Sequence, residues 1–199
     1  MATHAALGLK LHTGWAMLVA LAGQPGEIQV LFRRRIELLP LDESVPRFVY
    51  HEAAELPLPR AKALVKRARE ASLKATRLAI KDVLHELESH EAKADVCGVL
   101  TGSTLVANDL SQILRSHPLI HAAEGALFQQ SIEAACESCG LDVLNAREHE
   151  VWPRAATVWG LVEPRLRKEV DSLRKSVGAP WTADHKAAAA IALLVLKSN

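Results

Sequence analysis

The feature that most constrains the fold is an apolar stretch near the start of the chain, residues 6–21, which Thr13-Gly14 interrupts. Residues 5–11 form one apolar run and residues 14–22 form a second, so the segment between them is typical of a tight turn. A third segment, residues 27–39, contains a period-two alternation of apolar and polar side chains, as a half-buried strand does. These patterns predict a meander of three antiparallel strands over residues 1–39.

A cleaved secretion signal is the alternative interpretation of the same stretch. Residues 15–22 have the length and the small-residue ending of such a signal. However, Lys10 and His12 lie inside the apolar stretch rather than in a basic segment ahead of it. The stretch is also too short and too interrupted to span a bilayer. We therefore favour strands.

The remainder of the chain alternates helical and strand patterns and predicts one domain of residues 1–199, with its α/β portion at 59–199. The predicted elements are a linker at 40–58, a helix at 59–92, a strand at 94–101, a helix ending at Cys139, a strand at 141–146, and helical segments at 151–176 and 182–197. This order predicts an α/β fold with a mixed sheet, antiparallel at one edge and parallel elsewhere, and helices on both faces.

The composition excludes several classes of protein. Hydrophobic residues make up 49% and charged residues 24%, as in an ordinary globular domain. The net charge of +1 gives no overall attraction to nucleic acid or to membranes. Three cysteines, an odd number, do not suit a secreted disulfide framework. Cys136 and Cys139 end a helix, whereas redox pairs begin one, so we interpret them as ordinary thiols. We expect a cytoplasmic protein that does not bind membranes.

Three pieces of the sequence carry a resemblance to a known family. They are ALGLKLHTGWAML at residues 6–18, IHAAEGALFQQSIEAACESCGLDVLNA at 120–146, and WTADHKAAAAIALLVL at 181–196. Together with the order of the elements, they resemble the ribonuclease H-like fold and, within it, the RuvC-type Holliday-junction resolvases. The resemblance covers nearly the full length and implies that fold.

The resemblance also implies metal ligands that this sequence lacks. Such nucleases use acidic residues to hold two divalent metal ions, which prefer carboxylate oxygens. Lys10 stands where the family has its first-strand aspartate, residues 100–102 where it has the next acidic residue, and Ala187 near the second acidic position of the closing helix. Only Asp184 remains. We therefore expect no metal, no cofactor and no metal-dependent nuclease activity, and we interpret the chain as a binding or scaffold module.

A repurposed site at the carboxyl ends of the first and fourth strands is the alternative. Ligands bind at such edges of open α/β sheets, and an ammonium group with hydroxyls and backbone donors suits a phosphate or another anion. Acid–base and anion-clamp candidates are Lys10, His12, Asp184 and His185. Further ligand-binding candidates are Thr13, Thr101, Ser103, His121 and Glu124. An enzyme built this way would hydrolyse nucleic acid or phosphate esters.

Histidines and tryptophans in the second half of the chain have two interpretations each. His117, His121 and Glu124 share a helix face by their spacing, and two histidines four apart can bind zinc. Because Pro118 disturbs the first turn, we favour a polar face that lines a cleft. Trp152 and Trp159 are interpreted as core, with a homodimer surface as the alternative.

A third hypothesis is binding of the nucleic-acid backbone. Basic residues crowd residues 60–81, and Glu70 is the acidic residue that opposes them over most of this run. Such a helix could present a basic face to phosphates, although a solvated face is the alternative. The candidates are Arg33, Arg34, Arg35, Lys66, Arg67 and Lys74. An aromatic content of 4% leaves little scope for stacking on bases.

Overall fold

Five strands form one mixed sheet at the centre of the molecule. The structure is a computed structural model and describes residues 2–24, 26–40, 44–102 and 109–197. The strands are β1 Thr3–His12, β2 Trp15–Ala22, β3 Gln29–Glu37, β4 Ala92–Thr101 and β5 Asp142–Arg147. Their order is β3-β2-β1-β4-β5, antiparallel from β3 to β1 and parallel from β1 to β5. The predicted meander and mixed sheet are confirmed.

The opening apolar stretch folds back on itself to make β1 and β2. Gly14 has φ +81°, a left-handed conformation that glycine adopts without strain, and it lies in the turn between His12 and Trp15. Because β1 has β2 on one side and β4 on the other, Leu7 and Leu9 are fully buried. The segment that could also have been a secretion signal therefore forms the middle of the sheet.

Helices cover both faces of the sheet, as predicted. They are α1 Val49–Ala54, α2 Leu58–Ser89, α3 Leu110–Leu114, α4 His117–Ser138, α5 Glu148–Trp159, α6 Glu163–Ser172, α7 Arg174–Val177 and α8 Ala183–Leu196. On one face, α2 and α4 pack with Leu7 and Leu9 in one core. On the other face, α5 and α8 pack with Ala6 and Leu100 in a second core.

The closing helix α8 lies against the backbone of the central strands. A Cβ atom added to Gly8 in β1 would lie 2.0 Å from the carbonyl oxygen of Ala188. One added to Gly98 in β4 would lie 2.6 Å from Cγ1 of Ile191. The two glycines and the alanine-rich helix therefore permit close packing that larger side chains would prevent. Residues 187–196 of α8 are all buried.

Two segments differ from the sequence-based prediction. Residues 40–58, predicted as a linker, contain the short helix α1, whose Val49, Tyr50 and Ala53 are buried. Six helical residues are too few to show a helical period. Residues 151–176, predicted as one helical segment, form α5, α6 and α7. The left-handed conformation of Gly160 (φ +66°) ends α5, and Pro164 lies in the first turn of α6.

The tryptophans of the C-terminal third belong to the core. Trp152, Trp159 and Trp181 are each less than 10% exposed and lie in the same core as α8. The indole N–H of Trp159 donates to the carbonyl of Leu193 at 2.8 Å. The core interpretation is therefore confirmed, and a homodimer stays a prediction without support from these side chains. Within the described residues, no helix combines the length and apolar character needed to cross a membrane.

Candidate functional site

The carboxyl ends of β1, β4 and β5 meet at one edge of the sheet. Lys10 lies beside Leu100 in the β1–β4 register, and Leu100 lies beside Ala146 in the β4–β5 register. A cleft of about 630 Å³, which we call the Lys10 cleft, opens at this edge. Its lining consists of Lys10, Leu11, Leu100, Thr101, Gly102, Gly125, Gln129, Arg147, Glu148 and His149. The predicted location of a site at strand carboxyl ends therefore coincides with a real cleft.

Lys10 is held at this edge by an ion pair. Its ammonium group donates to the carboxylate of Glu148, the first residue of α5. The Lys10 side chain is 20% exposed and the Glu148 side chain 56%. An acidic residue in the first turn of a helix is also favoured by the helix dipole. Sequence reasoning missed Glu148, although its position directly after β5 places it at the same edge.

His12 makes a second contact of this kind. Strand periodicity puts His12 on the same face of β1 as Lys10. Its Nε2 lies 3.0 Å from Oδ2 of Asp184 in the first turn of α8, although the contact is not aligned as a hydrogen bond. The His12 ring stacks on Trp15, with 4.1 Å between ring centroids. Both carboxylates therefore face a basic side chain of β1.

The three consecutive arginines of β3 do not form one basic face. Strand alternation sends Arg33 and Arg35 to one face of the sheet and Arg34 to the other. Arg33 donates to the carbonyl oxygens of Val177 at 3.0 Å and Gly178 at 3.2 Å. Arg34 pairs with Glu86 of α2 at 3.0 Å, and Arg35 pairs with Glu37 at 2.5 Å.

A second cleft, which we call the arginine cleft, collects basic side chains from separate elements. It encloses about 910 Å³. Its lining consists of Gly14, Trp15, Arg35, Glu37, Leu39, Pro40, Ser44, Val45, Pro46, Arg47, Glu52, Leu56, Arg60, Ala63, Leu64 and Arg67. Four arginines thus face two glutamates. The Arg35 guanidinium lies 4.4 Å from the centroid of the Trp15 ring.

Only part of the predicted basic helix face belongs to this cleft. Arg67 lines it, whereas Lys66 lines a separate groove beside Tyr50 and Lys74 is exposed further along α2. Sequence reasoning missed Arg47 and Arg60 as members of a site. Arg60 belongs to the basic run of residues 60–81, but Arg47 lies in the segment predicted as a linker.

Comparison with known proteins gives structural neighbours and no sequence family. No protein-family model matches the chain, and no curated protein matches it. The RuvC structure of Thermus thermophilus aligns with a TM-score of 0.57 and 14% identity, over 98% of this chain and 95% of that chain. The same protein in complex with a Holliday junction substrate aligns with a TM-score of 0.56 and 14% identity, over 98% and 94%. The chain has the ribonuclease H-like fold.

The residues at the strand ends do not fit the two-metal centre associated with the ribonuclease H-like fold. At the positions where the resemblance implies acidic ligands, Lys10 supplies an ammonium group, and Leu100 and Ala187 are buried apolar residues. In the parts of the chain that the structure describes, three or more His, Cys, Asp or Glu side chains converge only elsewhere, at His51, His117 and His121. We therefore derive no reaction step through a metal at this edge.

His185 does not line the Lys10 cleft. It is buried, and its Nδ1 accepts from the backbone N–H of Thr182 at 3.1 Å, with the Thr182 hydroxyl 2.7 Å away. These contacts complete a capping box at the start of α8. Burial lowers the pKa of His185, the positive charge of Arg33 lowers it further, and Asp184 acts in the opposite direction. The arrangement gives His185 a structural role.

The remaining ligand-binding candidates from the sequence do not come together at one place in the structure. Thr101 lines the Lys10 cleft, with its hydroxyl 3.5 Å from the carbonyl oxygen of Ala146. The carbonyl of Thr13 accepts from Arg47 at 2.9 Å, beside the arginine cleft. Ser103 lies outside the described residues. His121 and Glu124 face α1 rather than Lys10.

Proposed function

We propose that this chain is a ribonuclease H-like domain that binds the phosphate backbone of nucleic acid and does not cleave it by the two-metal mechanism. The observation that carries the proposal is the ion pair of Lys10 with Glu148, at the place where the resemblance implies a metal-binding aspartate. We expect the protein to act in the cytoplasm, where its three free cysteines stay reduced.

The ion pair opposes metal binding in two ways. The ammonium group of Lys10 occupies the Glu148 carboxylate, which would otherwise be free to bind a cation. It also cancels the attraction of Glu148 for a cation, which for an unpaired carboxylate about 4 Å from a unit positive charge near a protein surface would be about 4 kcal/mol. His12 stands in a similar relation to Asp184. The two carboxylates that contact β1 side chains are therefore poor ligands for Mg²⁺.

The arginine cleft supports nucleic acid as the ligand. Guanidinium groups donate two parallel hydrogen bonds to phosphate oxygens, and Arg47, Arg60 and Arg67 line one cleft. The Trp15 ring contacts the Arg35 guanidinium and so helps to hold it in the cleft. A structural neighbour of the same fold has been solved with a Holliday junction substrate. We therefore favour branched DNA over inorganic phosphate as the ligand.

Binding is tested with a labelled four-way DNA junction, the matching duplex and a single strand, in magnesium and in EDTA. We expect affinity for the junction that falls steeply with salt. The double variant Arg60→Ala/Arg67→Ala should weaken binding about tenfold and reduce the salt slope by about two. The control Lys74→Ala/Arg77→Ala removes the same charge from positions of α2 outside the cleft. Equal losses in both variants would count against the cleft, and no binding, or binding that does not fall with salt, would reject the proposal that the chain binds the nucleic-acid backbone.

Cleavage is tested on the same substrates. We expect none with Mg²⁺ or Mn²⁺. Cleavage that disappears in Asp184→Asn would overturn the non-cleaving part of the proposal.

A second candidate is binding or hydrolysis of a phosphate ester in the Lys10 cleft. Arg147 and Thr101 line that cleft together with Lys10, and a Cβ atom added to Gly102 would meet no described atom within 4 Å. Because Glu148 competes for Lys10, Glu148→Gln should strengthen the binding of inorganic phosphate. Unchanged phosphate binding in this variant would reject the second candidate.

A further inference from the structure

Three histidine rings converge where α1 meets the start of α4. His117 and His121 are four residues apart on α4, and His51 comes from α1. Ring centroids are 4.4 Å apart for His117–His121 and 4.8 Å apart for His51–His121. One nitrogen from each ring lies within 4.8 Å of one from each of the others. Each of these rings can therefore offer a nitrogen to one shared ion.

A buried carboxylate orients the ring of His51. Oε1 of Glu124 lies 3.2 Å from Nδ1 of His51 and accepts the backbone N–H groups of Tyr50 at 2.7 Å and His51 at 3.3 Å. When Nδ1 donates to Glu124, the lone pair of the ring is on Nε2. Metal-binding histidines typically have a carboxylate partner of this kind on the other nitrogen.

One carboxylate oxygen of Glu124 is buried without a hydrogen-bond donor in the described part of the chain. The residue is 4% exposed, and its Oε2 has no hydrogen-bond partner among the described residues. A buried carboxylate oxygen without a donor is costly. A cation bound to His51 would add positive charge beside this carboxylate.

We propose that His51, His117 and His121 bind a divalent transition-metal ion of the zinc class, with water in the fourth position and Glu124 as a positioning residue. Imidazole nitrogens suit Zn²⁺, Cu²⁺ and Ni²⁺ rather than Mg²⁺. Tetrahedral zinc at about 2.0–2.1 Å from each nitrogen sets the nitrogens about 3.4 Å apart. The exposed rings of His117 and His121 can close that gap by rotation.

The proposed ion would join α1 to α4. Glu52, the neighbour of His51, lines the arginine cleft, so the ion would also fix one wall of that cleft. The ligands share no residue with the Lys10 cleft or with the arginine cleft. The metal site can therefore be present whether or not the chain binds nucleic acid.

Direct metal titration tests the proposal. The full chain is treated with a chelator, and Zn²⁺ alone is titrated by calorimetry and in competition with a chromophoric chelator. We expect one ion per chain. We also expect Co²⁺ to give the visible absorption of a four-coordinate site. No binding, or several weak sites without the Co²⁺ spectrum, would overturn the proposal.

Four variants separate the site from incidental histidine binding. Glu124→Gln should weaken Zn²⁺ binding about 10–100-fold while one ion still binds, as for other outer-shell partners. His117→Ala and His121→Ala should weaken binding more than that, and their exposed positions leave folding unchanged, which melting without metal checks. The control His85→Ala removes a histidine that is 84% exposed and also has a glutamate partner, Glu88. Full binding by His121→Ala, or an equal loss in His85→Ala, would disprove the assignment.

Discussion

Lys10 and Glu148 form an ion pair across the carboxyl edge of the sheet, although 138 positions separate them in the sequence. The pair joins the end of the central strand β1 to the start of α5. It puts one positive and one negative charge side by side at the carboxyl ends of the parallel strands. The positive charge of Lys10 and the negative charge of Glu148 therefore neutralise each other at this edge.

Reversing the charge of Lys10 tests that balance. In Lys10→Asp, two carboxylates would face each other, so we expect a lower melting temperature than in Lys10→Ala, which only removes the charge. Millimolar Mg²⁺ should then raise the melting temperature of Lys10→Asp by about 2–4 °C, the shift that about 1 kcal/mol produces in a domain of this size. Wild type and Lys10→Ala should not respond, and an equal response of the wild type would contradict our account of this edge.

The contact of α8 with β1 depends on the absence of a side chain at Gly8. An added methyl group would lie 2.0 Å from the carbonyl oxygen of Ala188, and a backbone atom cannot move aside cheaply. We expect Gly8→Ala to lower the free energy of unfolding by about 3 kcal/mol or more, measured by urea denaturation. Gly125→Ala is the control, because a Cβ there would meet no described atom within 4 Å beyond its own neighbours in α4. That helical change should be neutral or stabilise by up to about 1 kcal/mol; similar losses at both sites would refute the packing argument.

His185 makes stability depend on pH. Its pKa is lowered in the folded protein by burial and by Arg33, with only partial compensation from Asp184. Protonation therefore favours the unfolded state. The stabilisation is complete above the unfolded pKa of about 6.5 and is lost as the pH falls through the lower folded pKa.

The variant His185→Gln isolates this effect, because glutamine can keep the capping box without titrating. We expect the wild type to lose stability relative to His185→Gln as the pH falls below about 6.5, as measured by denaturant midpoints. A constant difference between the two proteins on acidification would show that His185 does not titrate on unfolding.

The cysteines should differ sharply in reactivity. Cys97 and Cys136 are buried, and a hydrogen bond with Cys136 together with burial raises the pKa of the Cys97 thiol well above its usual value. Cys139 is half-buried. A thiol reagent under mildly alkaline conditions should therefore modify one cysteine quickly and the other two only on unfolding, and Cys139→Ser should remove the fast phase. Two fast thiols in the native protein would support the redox-pair interpretation instead.

The sheet could be predicted from the sequence because its signals are local. Period-two alternation and a Thr-Gly turn indicate a strand pair without any knowledge of the rest of the chain. The helix α1 could not be predicted in this way, because its six residues are too few to show a period and Val49, Tyr50 and Ala53 are buried by contacts with α2 and α4. The break after Trp159 has a local signal, Gly160 followed by Pro164, that the apolar pattern across it obscured.

The candidate sites could likewise be predicted only where a local sequence pattern placed their residues. Strand periodicity places Lys10 at the end of β1, but its partner Glu148 depends on where α5 begins relative to a strand far away in the chain. His121 and Glu124 share a helix face by their spacing alone, whereas the third histidine lies in α1, which has no local signal. The arginine cleft takes its cations from separate segments of the chain. Proximity of this kind follows from tertiary packing and has no signature in a single segment.

The close packing of α8 on Gly8 has a consequence for the order of events during synthesis. The first strand of the domain leaves the ribosome early, and the helix that covers one of its faces leaves last among the described elements. Until then, that face of the nascent sheet presents apolar side chains such as Ala6 and Leu100 to solvent or to a chaperone. The α8 face of the central sheet can therefore be covered only after α8 has been made, so the last of the described elements completes the packing of the first.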